Sequence, residues 1–352
     1  MTLEQIAESI EDWAKNLGFQ DIAITDIDLT AYEPHFLDWL AKGFNGSMGY
    51  LNRNIEKRFH PDQLLDGTCR VITARMDYLQ ENCEPTEVLL DPSRGYVARY
   101  ALGRDYHKVL RSRLAKLAKK IDSEINPAST YRAFTDSAPI LEKPLSEKAG
   151  LGWIGKNSLL LNKESGSWFV LGEIFTNLPL PITRKQITNE CGQCQACINN
   201  CPTGAIIENK QIDARKCISY LTIESKEAIP EDLRPAIGNR IFGCDDCQIY
   251  CPWNRPTQTT REPDFMPRHG LQNPDLINLF NWSEETFLQN TEGTALRRIN
   301  YSQWKRNLAI AIGNGARNQA SINALTNGLN GAPELAKEHI KWAIEKLEGQ
   351  LD

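Results

Sequence analysis

The sequence predicts a mixed α/β (α+β) domain, then a small domain organised around cysteines, then a helical region. Three observations carry this prediction. Helix-period and strand-period segments interleave up to about residue 185, cysteines crowd into 190–252, and short helical patterns separated by Gly/Asn turns follow one another beyond residue 301. The expected boundaries are 1–185, 186–256 and 257–352, and a chain of 352 residues accommodates two or three domains of roughly 100–200 residues each.

Along the chain, Leu3, Ile6, Ala7, Ile10, Trp13, Ala14 and Leu17 recur at helical spacing and meet Gly18, a stop signal, so 3–17 is expected to be a helix. Residues 19–25 alternate as a strand does, and 71–74 form another after the turn at Gly67. Residues 106–121, rich in Leu, Ala and Lys, read as an amphipathic helix, and 131–134 and 168–175 as buried strands. Between those strands Gly150, Gly152 and Gly155 mark a loop whose backbone passes close to something bulky. The triplet has Gly-x-Gly-x-x-Gly spacing. It lacks a preceding βα unit and a downstream acidic residue, which argues against a nicotinamide or flavin site. After Pro256 a linker leads to helices expected at 301–313, 319–329 and 333–347, a succession that suggests hairpins of HEAT type.

A hydrophobic fraction of 41% and a charged fraction of 24% are those of a soluble globular protein. No apolar run approaches the roughly 18–20 residues that span a membrane. The first residues, Met1-Thr2-Leu3-Glu4-Gln5, show neither the basic and apolar regions of a signal peptide nor a twin-arginine pair, so the expected location is the cytoplasm. Thiols are kept reduced there, and ten cysteines point to metal binding or redox chemistry instead of disulfides. A net charge of −5 gives no argument for nucleic-acid binding by the whole chain and leaves the question to local basic patches.

Cys191-x-x-Cys194-x-x-Cys197-x-x-x-Cys201-Pro202 has the bacterial ferredoxin spacing. A loop with a thiolate every third residue wraps an iron–sulfur cube, and the fourth cysteine crosses to a second cluster. The second run, Cys217 and then Cys244-x-x-Cys247-x-x-x-Cys251-Pro252, departs from a plain ferredoxin because its first member lies beyond a long insert. By the crossed logic Cys191, Cys194, Cys197 and Cys251 hold one 4Fe–4S cluster, and Cys201, Cys217, Cys244 and Cys247 hold the other. Zinc is the alternative metal for paired Cys-x-x-Cys units. Cys69 and Cys83 fall outside the pattern and read as ordinary thiols.

Several further motifs stand in fixed order: Lys57-Arg58-Phe59-His60-Pro61, Arg99-Tyr100-Ala101-Leu102-Gly103-Arg104-Asp105-Tyr106-His107, Phe134-Thr135-Asp136-Ser137-Ala138-Pro139-Ile140-Leu141-Glu142-Lys143 and Gly150-Leu151-Gly152-Trp153-Ile154-Gly155-Lys156-Asn157-Ser158. Followed by the double cysteine signature, they resemble the epoxyqueuosine reductases, which act in the last step of queuosine synthesis on transfer RNA. The resemblance runs from about residue 40 to 255 and continues into the helical end. It implies cobalamin in the α/β domain, and reduction of an epoxide to an alkene on the modified wobble base of tRNA. An Asp-x-His-x-x-Gly signature would supply an axial histidine. Asp105-Tyr106-His107-Lys108-Val109-Leu110 ends in Leu where Gly is needed, which favours cobalamin without a protein histidine below the cobalt. Asp105 and His107 read more simply as residues of a first helical turn.

Epoxide reduction needs electrons at carbon and a proton at the departing oxygen. The resemblance makes Asp136 the proton donor, a role that asks for a carboxyl pKa raised by burial or a nearby negative charge. The plainer reading of Asp136 is a helix N-cap. Arg58, Tyr100, Ala101, Asp136, Lys156, Asn157 and Ser158 are the expected cobalamin contacts. Arg297, Arg298, Lys305 and Arg306, near Tyr301 and Trp304, together with Lys226, are the expected tRNA contacts, with a solvated helix face as the plainer reading. The expected partners are tRNA carrying epoxyqueuosine and an external one-electron donor of ferredoxin or flavodoxin type, and the expected state is a monomer. Two competing readings are a reductive dehalogenase-like enzyme acting on a small molecule and a non-catalytic two-cluster electron carrier. The absence of a twin-arginine signal and the locally basic helical end count against the first. Roughly 280 residues outside the cluster domain, far more than a ferredoxin fold needs, count against the second.

Overall fold

The computed structural model describes residues 1–81, 84–124, 129–183, 187–208, 210–255 and 257–349. Cys83 and the expected boundaries at 185/186 and 256 lie outside these residues. Helix α1 (Leu3–Asn16) begins in a capping box: the Thr2 hydroxyl accepts the Gln5 N–H, and the Gln5 side chain returns to the Thr2 N–H at 2.9 Å. Four strands, β1 (Asp21–Thr25), β2 (Arg70–Asp77), β3 (Tyr131–Phe134) and β4 (Phe169–Thr176), form an antiparallel sheet in the order β1-β2-β4-β3. The strand at 71–74 runs longer than the sequence suggested because its whole length pairs with β4.

The strand alternation sends side chains to two faces. On one face Ile72, Ala74, Met76 and Ile174 meet Ile6 and Ile10 of α1 and Leu110, Leu114 and Leu117 of helix α2 (Tyr106–Ser123). On the other, Val71, Phe134 and Phe175 meet Leu145 of helix α3 (Glu142–Ala149), while Leu171 meets Ala149. The glycine loop after α3 closes on its own hairpin. A Cβ on Gly152 would stand 2.1 Å from the Leu161 carbonyl oxygen, so the bulky neighbour expected there is the strand 160–161, which pairs with 153–154.

The cysteine segment joins the rest through strand Arg240–Phe242, paired in parallel with Tyr96–Val97, and through helix α4 (Ile218–Ile223). Behind them lie α5 (Tyr301–Gly313), α6 (Gln319–Leu329) and α7 (Glu334–Glu348), close to the predicted positions. One apolar core runs through Val97, Leu221, Phe242, Trp304, Leu308 and Ile340, and every residue of α5 from Gln303 to Gly313 is buried in it. Among the described residues no helix is long and apolar enough to cross a membrane.

Candidate active site and cysteine centres

Asp136 follows β3 on a loop and adopts φ 53°, a left-handed conformation that a short polar side chain tolerates. It caps no helix, because α3 begins at Glu142 with Leu141 in the cap position. Its Oδ2 accepts the Tyr106 hydroxyl at 2.9 Å and lies 3.2 Å from His107 Nε2. His107 Nδ1 lies 2.7 Å from Asp105 Oδ1, and its ring stacks on Tyr106 with centroids 4.0 Å apart. Asp105 also caps α2 by accepting the His107 backbone N–H, so one local motif both starts the helix and aims the imidazole.

The electrostatics follow from this geometry. Desolvation pulls the His107 pKa down, but the hydrogen bonds to Asp105 and Asp136 outweigh it and raise the value to about 9. His107 is therefore an imidazolium near neutral pH. Desolvation pushes the Asp136 carboxyl up, but the hydrogen bond and charge of His107 and the Tyr106 hydroxyl more than offset it, leaving Asp136 below the usual range. The raised pKa expected from sequence is thus not found on Asp136. It sits on its neighbours. Burial first, and then the Asp136 charge, lift Glu142 to about 8. Glu173, on β4, is 0% exposed with both carboxyl oxygens unpartnered, and burial followed by the charges of Glu142 and Asp136 pushes it well above the ordinary glutamate value.

Around Asp136 the chain brings together residues distant in sequence. Arg58 is buried, donates to the Tyr50 carbonyl at 3.1 Å, and keeps its Nε without a partner. Tyr100 packs edge-on against Tyr106 at 5.8 Å. Ala101 is sealed in the apolar core, so its side chain is not the ligand contact expected of it. Arg298 pairs with Glu224 at 3.0 Å, lies 5.9 Å from the Tyr50 ring centroid, and is near enough for its charge to act on Asp136. Residues 50–58, 100–107, 136–142 and 298 thus form one cluster around the exposed Asp136.

Three other expected contacts bond to the cysteine segment. Lys156 Nζ donates to the carbonyls of Gly192 and Cys194, Asn157 Nδ2 donates to that of Cys247 at 3.1 Å, and Ser158 Oγ donates to that of Lys210. The trio ties the α/β segment to the cysteine segment. Lys305 and Arg306 are corrected outright as tRNA contacts, because both are buried. Lys305 is spent on the Phe280 carbonyl, and Arg306 donates to the carbonyls of Leu221, Ser225 and Glu227. Lys226, Arg297 and Arg298 are exposed.

Cys191, Cys194, Cys197 and Cys251 line one small cavity, with Lys156 and Trp253 at its walls. Burial, then the charges of Cys251, Cys191 and Cys194, raise the Cys197 thiol to about 11. Four thiols converging on one cavity fit thiolate ligation of iron. Desolvation raises the Cys217 thiol, and desolvation followed by the charges of Cys217, Asp245, Cys197 and Cys201 raises the half-buried Cys247, which places Cys247 between the two groups. Cys201 Sγ accepts the Ala205 N–H at 3.2 Å, and Cys244 Sγ donates to Asp246. Cys69, outside both groups, donates to the Asn177 carbonyl.

The sequence reading passed over His107 as an acid–base partner, and it passed over Glu142 and Glu173 entirely. Glu173 had a signal, being the only charged residue of the otherwise apolar strand Phe169–Thr176.

Comparison with known proteins agrees with the site. The family model "Epoxyqueuosine reductase QueG, DUF1730" matches residues 58–137, and "4Fe-4S double cluster binding domain" matches 190–254. An epoxyqueuosine reductase of Aliivibrio fischeri is 53% identical over 97% of this chain and 92% of its own. The Escherichia coli one is 52% identical over 98% and 90%. A solved epoxyqueuosine reductase from Bacillus subtilis, with an aspartate-bearing catalytic loop swung out of its active site, superposes with a TM-score of 0.89 at 27% identity, covering 98% of this chain and 91% of that one. Another, solved with an epoxyqueuosine-modified tRNA-Tyr stem loop, gives 0.85 at 26% identity, covering 99% and 100%.

Proposed function

The chain belongs to the epoxyqueuosine reductase family and is an oxidoreductase with a 4Fe–4S double-cluster domain; from that premise we propose that it reduces the epoxide of epoxyqueuosine to queuosine at the wobble position of tRNA, with the proton delivered through Asp136. The observation that carries this reading is the exposed Asp136 carboxylate held between Tyr106 and a protonated His107.

Cys191, Cys194, Cys197 and Cys251 hold one cluster, and Cys201, Cys217, Cys244 and Cys247 hold the other. Three observations suit cobalamin beside Asp136. The buried Arg58 Nε lacks a partner and suits an amide or phosphate oxygen of the cofactor. Tyr100 packs edge-on against Tyr106, the partner of Asp136. Both His107 ring nitrogens are engaged by carboxylates, so that histidine is not free to sit below the cobalt. When bound, cobalamin supplies a strongly reducing cobalt centre for the epoxide carbon, fed one electron at a time through the clusters from an external donor of ferredoxin or flavodoxin type.

The chain's own residues handle the proton. At rest it sits on His107, and it passes through Asp136 Oδ2 as the oxygen departs, so the pair is the acid although Asp136 alone is ionised. An aspartate-bearing catalytic loop swung out of the active site in the Bacillus subtilis relative supports reading the Asp136 loop as the catalytic one. On the substrate side, Arg298 and Tyr50 offer a cation and a 40% exposed ring beside the acid, suited to a phosphate and a splayed base. Arg297 and Lys226 extend that surface, and the HEAT-type helical region backs it. The protein works in the cytoplasm as a monomer.

The test is anaerobic reconstitution with iron, sulfide and cobalamin, followed by incubation with tRNA carrying epoxyqueuosine and mass spectrometry of the digested nucleosides. Loss of one oxygen by the wild type and not by Asp136→Asn is expected. Untouched tRNA with all cofactors loaded would overturn the substrate, and an active Asp136→Asn would overturn the acid.

A further inference from the structure

Conversion of an epoxide to an alkene takes up two electrons and two protons and releases water: both C–O bonds break, the C=C bond forms, and the oxygen leaves carrying both protons. His107 and Asp136 between them hold one proton at rest. The second has to come from another group when the tRNA covers the site.

Glu173 stands opposite Thr73 on β2 and Phe134 on β3, on the sheet face covered by α3. The hydroxyls nearest to it are spent elsewhere. Thr73 and Ser146 bond to each other at 2.7 Å, and the Thr135 hydroxyl donates to the Phe134 carbonyl. Both Glu173 oxygens therefore lie unpartnered at 0% exposure, an arrangement that an ionised carboxylate does not sustain and a neutral acid does. The charged groups acting on it are Glu142 and Asp136. Glu142, in the first turn of α3, faces Asp136 and its backbone N–H, with Lys143 and His107 the other charges nearby. The charges of Glu142 and Asp136 bear on Glu173 and that of Asp136 on Glu142, so the three carboxyls form one cluster at the exposed Asp136.

We infer that Glu142 and Glu173 are a proton store: Glu142 reloads Asp136 with the second proton of the reaction, and the buried Glu173 holds the reserve behind it. Glu142, in contact with Asp136, acts as the second acid, and Glu173 acts through it. The inference rests on the proposed epoxide reduction for its role, but not for its existence.

The test has two independent arms. In the protein as purified, infrared difference spectra at neutral pH are expected to show C=O stretches of protonated carboxyls, with separate bands lost in Glu142→Gln and in Glu173→Gln. In single turnovers on epoxyqueuosine-tRNA, the wild-type rate is expected to fall as pH rises through about 8. Glu142→Gln should be slower by roughly tenfold to a hundredfold, with the fall near 8 gone and only the His107 fall near 9 left, and Glu142→Asp should restore both. Glu173→Gln should keep the limb with a smaller loss. No protonated-carboxyl band in the wild type would overturn the store. Bands present, with Glu142→Gln matching the wild type in rate and limb, would overturn its catalytic role. A wild type inactive on this tRNA with the bands present would instead count against the reductase reading.

Discussion

Lys156 and Cys194 face each other across the seam between the α/β segment and the cysteine segment, and the Lys156 ammonium donates to the Cys194 carbonyl at 2.9 Å. The same nitrogen holds the Gly192 carbonyl at 2.8 Å. One side chain of the catalytic segment thus fixes the loop that presents three of the four thiols of the first cavity.

Lys156→Met is expected to loosen that loop by about 2 kcal/mol, the scale of hydrogen bonds to a charged group. Iron per chain should fall, and chelator should strip the first cluster faster than the second, as read by iron analysis and electron paramagnetic resonance. Equal loss from both clusters would contradict it.

The His107 pKa is raised on folding, so its contribution to stability is complete below the unfolded value of about 6.5. It should be lost as pH rises through the folded value of about 9. Denaturant unfolding of wild type and His107→Gln should therefore differ by a constant amount in mild acid and converge across that window. Because Asp136 is lowered instead, its contribution is present above the ordinary aspartate value of about 3.9 and is lost in stronger acid.

Arg298→Ala and Arg306→Ala should separate binding from folding. Arg298 is exposed and near Asp136, so its loss should weaken tRNA binding and reduce the salt dependence by about one phosphate contact, leaving the melting temperature within a degree or two. Arg306 is buried and donates to the carbonyls of Leu221, Ser225 and Glu227, so its loss should cost about 3–5 kcal/mol of stability. Calorimetry and filter binding on the two variants decide the matter.

Gly152→Ala should be poorly tolerated, because the added Cβ meets a backbone oxygen at 2.1 Å and backbone cannot rotate aside. A loss of about 2–3 kcal/mol is expected, with the hairpin 153–161 and the Lys156 contact disturbed together. Thermal unfolding and iron content check it.

How much was legible in the sequence depended on range. The thiol spacing is local, so Cys191, Cys194 and Cys197 announced themselves, and Cys251 followed from a chemical pattern that the cavity matches. The helices 301–313 and 319–329 were legible because period and turns are local too. What failed was partnership across distance. Lys305 and Arg306 read as a surface charge pair because nothing in their neighbourhood says that the carbonyls of 221–227 lie across from α5. His107 and Asp136 are 29 residues apart, and their contact exists only because the β3–α3 loop meets the start of α2. The Asp136 pKa was misjudged for the same reason, since its ruling neighbour was unseen.

The burial of α5 on every side has a consequence for how the molecule comes apart. Trp304, Leu308 and Ile312 share one interior with Val97, Leu221 and Phe242, so the C-terminal helices cannot be released without opening the floor on which the cysteine segment rests. Cluster loss and melting of the C-terminal helices should therefore be a single cooperative event. A chain cut near residue 257 would be a collapsed remnant, unable to serve as a working reductase that merely lacks a tRNA grip.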